Sequence, residues 1–242
     1  MDEKKELLFV TYDEVVVCNT TDRYIVNNFK GKRKLIDSSG TQISDDGVND
    51  IVESSTAGYF IINTDDGQNI IDKDGERKFS ENYFRIEEVN APGRYIAYRE
   101  PTNEITQLAN VGLIDIDGNE LIPFANQIIM RISKNLLLET KDITHLPGNA
   151  NPYLYPKALT KIYGHTGKFI REIWGSELID LGKQGVLLVD IHRTLAYHID
   201  INDNITEITN EEEIKAWRAK RFYRGYIKQR VKYGGLDGKE GY

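Results

Sequence analysis

The sequence predicts an all-β fold built from repeats, and three observations lead to that prediction. A short phrase recurs along the 242-residue chain. Its copies are LIDSSG (35–40), IIDKDG (70–75), LIDIDG (113–118), IYGHTG (162–167) and HIDIND (198–203). Short apolar stretches typical of strands precede the copies, and helical periodicity is almost absent before residue 208. Self-similarity at a spacing of about 35 to 49 residues is typical of solenoids and propellers.

Each phrase has the chemistry of a tight turn between two strands. The carboxylates of Asp72 and Asp115 can accept hydrogen bonds from backbone amides two residues further on, which favours a turn. The glycine that ends most copies supplies the positive φ that a three-residue hairpin loop requires. We therefore predict a hairpin at NIIDKDGERKF (69–79). The recurring aspartate and glycine are interpreted as scaffold and not as a recurring ligand site.

The repeat unit has the size of a propeller blade. In each unit an apolar strand comes first, followed by a link, the strand that ends in the phrase, and a third strand after the turn. The first strands are predicted at 15–17, 59–62, 95–98, 136–138 and 186–189. Three or four strands in such a unit match one blade, so we predict a β-propeller of about five blades, with six as the alternative.

Two clean copies resemble the WG repeat family. VGLIDIDGNELIP (111–123) and NIIDKDGERKF (69–79) follow the family's Tyr-Gly-x-Ile-Asp-x-x-Gly-Lys-x-Val-Ile-Pro hairpin, and KYGGLDGKEGY (232–242) is a shortened form of it. The other copies are degenerate, and the dipeptide that names the family is kept cleanly only at Tyr233-Gly234. The resemblance implies a WG-type β-propeller, or a related β-repeat, that binds other molecules. It implies no catalytic residues.

The copies differ in length mostly in the link between the first and second strand. In a radial repeat such links project from one face, and long insertions there are typical of a binding face. The three long links are 19–32, 99–110 and 139–158. In the last of them Tyr153 and Tyr155 stand between prolines, and stiff exposed aromatic side chains are good anchors for a partner. The alternative is that both tyrosines fold back on their own chain.

Residues 208–232 change character from strand to helix. Thr209 or Asn210 can cap a helix, and a glutamate three residues further on completes a capping box. An apolar stripe at helical spacing is formed by Ala219, Phe222, Tyr223, Tyr226 and Ile227. Around it lie Lys215, Arg218, Lys220, Arg221, Arg224, Lys228, Arg230 and Lys232. Because the whole chain has a net charge of −7, the rest of it is strongly acidic. We predict a β-propeller-like domain (1–207), a basic amphipathic helix (208–232) and a Gly-rich tail (233–242).

The basic helix has four open interpretations. It docks on the acidic surface of its own chain, or a partner protein takes it in a groove or on an acidic surface. Nucleic acid and an anionic membrane surface are the other two candidates, because a basic aromatic helix suits both. The predicted partner-binding residues are Tyr153, Tyr155, Trp217, Arg221, Arg224, Tyr226, Lys228 and Arg230.

Clustered acids, bases and nucleophiles are scarce, so we predict no catalytic residues, no metal and no cofactor. The best candidate pair is His192 and His198, on two strands of one hairpin. A three-residue turn between the strands would place both on one face as candidate metal ligands, whereas the commoner two-residue turn would not. Cys18 is interpreted as a small apolar residue, since a nucleophile would need a histidine nearby.

The predicted function is a non-catalytic protein-binding or scaffolding module that uses its loop-rich face and its basic helix. We see no secretory signal and no apolar run of about 18 residues, and a single cysteine suits a reducing compartment. These features predict a cytoplasmic protein, or alternatively a component of a virus particle. The first alternative function is a structural part of a larger assembly, such as a viral or phage particle. The second is a metal-dependent enzyme that uses the 190–200 hairpin.

Overall fold

The computed structural model describes residues 12, 14–27, 31–102, 109–133, 135–141, 159–174, 177–190 and 192–220. Within them the chain is all-β apart from one 3-10 helix (Gly182–Gln184) and one α-helix, α1 (Glu211–Ala219), which confirms the predicted fold class at that level. The strands are β1 (Glu14–Val17), β2 (Tyr24–Asn27), β3 (Arg33–Ile36), β4 (Val48–Glu53), β5 (Tyr59–Thr64), β6 (Gly67–Asp72), β7 (Arg85–Glu88), β8 (Arg94–Tyr98), β9 (Ala109–Asp115), β10 (Glu120–Arg131), β11 (Leu136–Lys141), β12 (Leu159–Gly164), β13 (Phe169–Trp174), β14 (Glu177–Asp180), β15 (Val186–Val189), β16 (Ala196–Ile199) and β17 (Ile205–Ile208).

The strands form antiparallel meanders in chain order. The sheets are β1-β2-β3, β4-β5-β6, β7 to β13, and β14-β15-β16-β17. The seven-stranded sheet arises because β10 is 12 residues long. It begins at Glu120, directly after the turn of the third copy, and continues to Arg131, where it pairs with β11. Four sheets therefore hold the strands of five sequence copies, and the number of propeller blades stays a prediction.

The recurring phrase forms a turn, as predicted, and Asp72 shows its geometry. One carboxylate oxygen of Asp72 accepts the N–H groups of Asp74 and Glu76, both at 3.0 Å. The backbone N–H of Asp72 donates to the Glu76 carbonyl, and the Asp72 carbonyl accepts the N–H of Gly75. Gly75 has a φ of 90°, which favours glycine. These contacts confirm the predicted three-residue hairpin loop.

Other copies build the same turn from different residues. Asp37, Asp115 and Asp200 each accept backbone amides two and four residues further on. The fourth copy has Gly164 in place of the aspartate and keeps the backbone hydrogen bonds. In the fifth copy Asp203 replaces the glycine and takes the same left-handed conformation, with a φ of 68°. Turn chemistry therefore accounts for the repeat.

The chain divides into two compact units, each with its own apolar core. The first unit comprises Met1–Glu88, Pro92–Pro101 and Ile114–Glu120; the second comprises Val89–Ala91, Thr102–Leu113 and Leu121–Tyr242. The core of the first unit is formed by Cys18, Ile25, Leu35, Val48, Ile51, Phe60, Ile62 and Ile71. A core of the second unit is formed by Ile132, Leu136, Leu138, Ile162, Ile173, Val186, Leu188, Tyr197 and Ile199.

The first predicted link, 19–32, is wrong as a long loop because it contains β2. This strand pairs with both β1 and β3. The run Arg23-Tyr24-Ile25, which enters β2, matches Arg94-Tyr95-Ile96 at the start of β8. The counterpart of the strand at 59–62 is therefore β2 and not β1. Residues 103–108 and 142–158 of the other two links lie outside the described residues.

The hairpin that carries both histidines has neither of the two turn lengths considered from the sequence. Leu187 lies opposite His198, and residues 190–195 connect the two strands. The carboxylate of Asp190 shapes this longer loop, because it accepts the N–H of Thr194 at 2.7 Å. Side-chain hydrogen bonds of this kind compete with the tightest hairpin turns.

The N-cap of helix α1 is Asn210, one of the two N-cap residues that the sequence predicts. The side chain of Asn210 accepts the N–H of Glu213 at 3.0 Å. Ile214 is only 1% exposed, in a cluster with Ile179, Leu181, Leu187, Val189, Ala196 and Ile208. The described part of the helix thus docks on its own chain, on the sheet β14–β17. Residues from 221 onward, which include the predicted continuation to 232, lie outside the described residues.

Candidate functional site

A glutamate at a strand end in the first unit holds the turn that follows an earlier strand. Glu53 is the last residue of β4, and its carboxylate accepts the backbone amides of Asn19 and Thr20, both at 2.9 Å. The Thr20 hydroxyl donates to it at 2.7 Å and the Asn19 side-chain amide at 3.2 Å. Burial by itself raises the pKa of Glu53, but these hydrogen bonds outweigh it, and the pKa is lowered. We call this arrangement a strand-end clamp.

A second strand-end clamp repeats the geometry one copy later. Glu88 is the last residue of β7 and accepts the hydroxyl of Ser54 at 2.5 Å and the backbone N–H of Ser55 at 2.8 Å. Ser54 and Ser55 directly follow β4, as Asn19 and Thr20 closely follow β1. In the first unit, each clamp therefore satisfies amides that would otherwise need water.

In the second unit the corresponding strand ends carry Arg131 and Asp180, the last residues of β10 and β14. A guanidinium has only donors, so Arg131 cannot hold backbone amides as a glutamate does. Both residues instead line a pocket of about 330 Å³. The rest of its wall is formed by Asn90, Ile132, Ser133, Gly182, Gly185, Val186, Asp200 and Ile201. This volume is at the lower end of the range for ligand pockets, which suits one side chain or a small molecule.

Tight turns hold the acidic groups of the pocket in place. Asp180 accepts the backbone N–H of Gly182 at 2.8 Å, at the start of the 3-10 helix. Asp200 accepts the N–H groups of Asn202 and Asn204 and the side-chain amide of Asn204. The side chain and then the backbone amide of Asn204 lower the pKa of Asp200. The Asp200 carboxylate is therefore negatively charged at neutral pH.

The pocket combines apolar surface with charges of both signs. Ile132 and Val186 are buried, whereas Ile201 is 63% exposed. Ser133 adds a buried hydroxyl oxygen that has no hydrogen-bond partner among the described residues. Unsatisfied buried hydroxyls are rare in native proteins, so this oxygen is a natural contact for a bound molecule. A ligand with an apolar stem and a polar or charged end would complement this wall.

Helix α1 packs on the sheet β14–β17, which also contributes Asp180 and Val186 to the pocket wall. Trp217 stacks on the ring of His198, with ring centroids 4.2 Å apart. The Nε2 atom of His198 is 2.7 Å from the carbonyl oxygen of Gln184, which belongs to the 3-10 helix that contributes Gly182 to the pocket wall. The ammonium of Lys220 lies 3.7 Å from the centroid of the Trp217 ring. The C-terminal part of α1 is thus linked through His198 to the 3-10 helix.

The predicted site residues fall mostly outside the described residues. This applies to Tyr153, Tyr155, Arg221, Arg224, Tyr226, Lys228 and Arg230. Trp217 is described and half-buried against His198. His192 lies exposed in the 190–195 loop, whereas Nε2 of His198 contacts the Gln184 carbonyl. Among the described residues no three His, Cys, Asp or Glu side chains are placed to hold a metal ion together.

Sequence reasoning missed the pocket, and it also missed an apolar edge. Strand β13 ends the seven-stranded sheet, and three of its side chains are exposed although they are large and apolar. They are Phe169, Ile170 and Trp174, of which Trp174 is 60% exposed. Edge strands with exposed apolar residues can pair with another chain. The alternating pattern of an edge strand is not distinguishable from that of a central strand in one sequence.

No protein-family model and no curated protein matches the chain. Among solved structures, Hsv2p of Kluyveromyces lactis is 12% identical with a TM-score of 0.34, over 83% of this chain and 63% of that one. A eukaryotic initiation factor is 12% identical with a TM-score of 0.39, over 78% of this chain and 52% of that one. A nidogen/laminin complex is 10% identical with a TM-score of 0.31, over 81% and 78%. Scores this low do not establish a common fold.

No helix within the described residues is long and apolar enough to cross a membrane.

Proposed function

We propose that this chain is a non-catalytic binding module, built as a β-propeller of the WG type. The meanders in chain order and the recurring turn support the propeller, because each copy would then supply one blade. A protein partner, a scaffolding role and a cytoplasmic location belong to the same proposal. The observation that carries it is the pocket of the second unit, since it is a formed concave site with charged groups in fixed turns.

The pocket suits a lysine or arginine side chain of a partner protein. The carboxylates of Asp180 and Asp200 give the pocket wall two negative charges against the single guanidinium of Arg131, so the wall favours a cation. The apolar stem of a lysine or arginine can pack on Ile132 and Val186 while its charged end meets the carboxylates. A single lysine or arginine residue of a peptide can make both the apolar and the charged contact.

The first experiment compares two small probes on the full-length protein. Nα-acetyl-arginine amide carries the cation, and Nα-acetyl-citrulline amide has nearly the same shape without the charge. We expect calorimetric binding of the arginine probe at least tenfold tighter than that of the citrulline probe. Asp200→Asn should reduce the arginine affinity several-fold, because asparagine keeps an acceptor for the turn but loses the charge.

Two results would contradict the proposed ligand. Equal affinities for the two probes would show that the pocket does not select a cation. An unchanged arginine affinity in both Asp180→Asn and Asp200→Asn would place binding elsewhere.

A second candidate function, a structural part of a larger assembly, is favoured by the exposed apolar edge strand β13. A self-assembling chain should form defined oligomers in light scattering, and Trp174→Ala should reduce them. Phe84 is also exposed, at 54%, but it lies outside β13, so Phe84→Ala is the matched control. Monomers at all concentrations would remove this candidate.

A further inference from the structure

We infer that the pocket of the second unit recognises a short segment of its partner, in which a basic residue enters the pocket and a large apolar residue close to it packs on Ile201. The inference rests on the proposed function, because it assumes that the pocket accepts a basic side chain. It adds the second half of the recognised segment, and it makes Ile201 the residue that selects this half.

The first argument is the exposure of Ile201. This side chain lines the pocket and is 63% exposed, although it is large and apolar. A single exposed isoleucine is ordinary on a protein surface. Here, however, the apolar lining runs from the buried Ile132 and Val186 to the exposed Ile201. Ile201 therefore offers apolar area at the mouth of the pocket.

The second argument comes from the same turn position in another copy. Ile201 follows the turn aspartate of the fifth copy, and Ile116 has that place in the third copy. The N–H of Ile116 donates to the carbonyl of Gly93 at 3.0 Å. A Cβ added at Gly93 would lie 3.6 Å from the Cγ2 atom of Ile116, so this side chain packs against the loop before β8 and is half-buried. The isoleucine of the fifth copy is exposed instead.

The third argument is the charge next to this apolar surface. Asp200 directly precedes Ile201, so their Cα atoms are about 3.8 Å apart. The Asp200 carboxylate accepts the N–H groups of Asn202 and Asn204 and the side-chain amide of Asn204. A carboxylate can accept about four hydrogen bonds, so it can still accept one from a cation. A basic side chain bound there brings its own segment beside Ile201.

Ser133 supplies an argument that is independent of the acidic residues. Its buried hydroxyl oxygen has no hydrogen-bond partner among the described residues. A basic side chain has donors for this oxygen, whereas an apolar ligand has none. The pocket thus suits a ligand with a donor at its buried end and apolar surface at its exposed end. A basic residue close to a large apolar residue provides both.

The geometry of an extended peptide decides which of its residues to vary. Side chains two positions apart lie on the same face of an extended chain, about 6.6 Å from each other. When the basic side chain enters the pocket, the side chains two positions before and after it face the same surface. A probe with leucine at both positions is therefore independent of the direction in which the peptide lies.

The experiment measures calorimetric binding of two peptides to the full-length protein. The leucine peptide is acetyl-Leu-Gly-Arg-Gly-Leu-amide, and the alanine peptide has alanine in place of both leucines. We expect wild type to bind the leucine peptide about fivefold tighter, because partial burial of the larger apolar side chain is favourable. Ile201→Ser should reduce this preference to less than about twofold. Ile116→Ser, at the same turn position of the third copy, is the matched control and should keep the preference.

The outcomes separate this inference from the proposed function. If wild type binds both peptides equally well, or if Ile201→Ser keeps the full preference for leucine, the inference is overturned while the proposed basic ligand stands. If neither peptide binds, the proposed ligand fails and the inference fails with it. Citrulline in place of arginine in the leucine peptide should abolish most of the binding; unchanged binding would show that leucine alone is recognised and would overturn both.

Discussion

The two units of this protein use the same strand-end position for different purposes. In the first unit Glu53 and Glu88 end β4 and β7; Glu53 accepts two backbone amides of an earlier turn, and Glu88 accepts one backbone amide and two hydroxyl groups. In the second unit Arg131 and Asp180 end β10 and β14, and both line an open pocket. The corresponding strand ends thus hold a turn in the first unit and line a pocket in the second.

This difference shows how a repeat protein can gain a site without a new element. At Glu53 and Glu88 the carboxylate at the strand end accepts hydrogen bonds from the neighbouring turn. Replacement by Arg131 removes the acceptor, since a guanidinium only donates. The scaffold of strands and turns stays the same. The side chain at the strand end decides whether this position holds a turn or lines a pocket.

The largest expected effect concerns the glycines that precede equivalent strands of the two units. Gly185 before β15 has a φ of 95°, and a Cβ there would collide with the carbonyl oxygen of Ile199. Gly58 before β5 has a φ of 83° but nothing within 4 Å of such a Cβ. Gly58→Ala should cost about 1 to 2 kcal/mol through the backbone conformation alone. Gly185→Ala should reduce the free energy of unfolding clearly more than Gly58→Ala does. It should also weaken binding of the arginine probe, because Gly185 lines the pocket.

Urea unfolding of the two alanine variants measures this difference. Similar unfolding free energies for both would show that the turn of the second unit relaxes, and that the pocket wall is less rigid than its contacts indicate.

The next effect tests the strand-end clamp itself. Glu53→Ala leaves the amides of Asn19 and Thr20 without their acceptor, and hydrogen bonds to a charged group contribute about 1.5 to 3 kcal/mol. Since the site is half-buried, we expect a loss of about 1 to 2 kcal/mol in the free energy of unfolding. Glu53→Gln keeps one acceptor oxygen and should lose less. If both variants unfold like wild type, water replaces the clamp at no cost.

The third effect is a dependence of stability on pH. Burial alone raises the pKa values of Glu53 and Asp72, but hydrogen bonds outweigh it and both pKa values are lowered in the folded state. Their stabilisation is therefore complete above the unfolded pKa and is lost as the pH falls through the folded pKa. The urea midpoint should fall between about pH 5 and pH 3. Asp72→Asn should reduce this slope, and a slope unchanged by both Asp72→Asn and Glu53→Gln would assign it to other groups.

The smallest effect makes Cys18 a reporter of the clamp. Burial, and then the charge of Glu53, raise the pKa of the Cys18 thiol to about 11. At pH 8 iodoacetamide should alkylate it about a hundredfold more slowly than a free thiol. Glu53→Ala removes both the charge and the clamp beside it, so alkylation should become faster. Rapid alkylation of wild type would show that this turn already opens readily.

Much of the fold could be predicted because its signals are local. The turn at Asp72 and Gly75 depends on residues within five positions, and so does the Asn210 cap of α1. Two predictions were wrong. In one the strand signal was short, and in the other a side chain competed with a tight hairpin turn. Strand β2 is only four residues long, and the Asp190 side chain replaced a tight hairpin turn by a longer loop.

The candidate site could not be predicted in the same way. Arg131, Asp180 and Asp200 are far apart in the sequence, and nothing in their local patterns links them. The repeat itself held a clue, since Glu53 and Glu88 each end a strand one copy apart. Only the strand bounds show that Arg131 and Asp180 occupy the corresponding strand ends.

The sequence alone determined the all-β class and the position of the repeated turn, since both depend on neighbours along the chain. It also determined the contrast between an acidic body and a basic C-terminal segment, which is a matter of composition. The tertiary structure decided which strands share a sheet, where α1 docks and where a pocket opens. These depend on contacts between residues distant in sequence, such as Trp217 with His198, and no local pattern encodes such contacts.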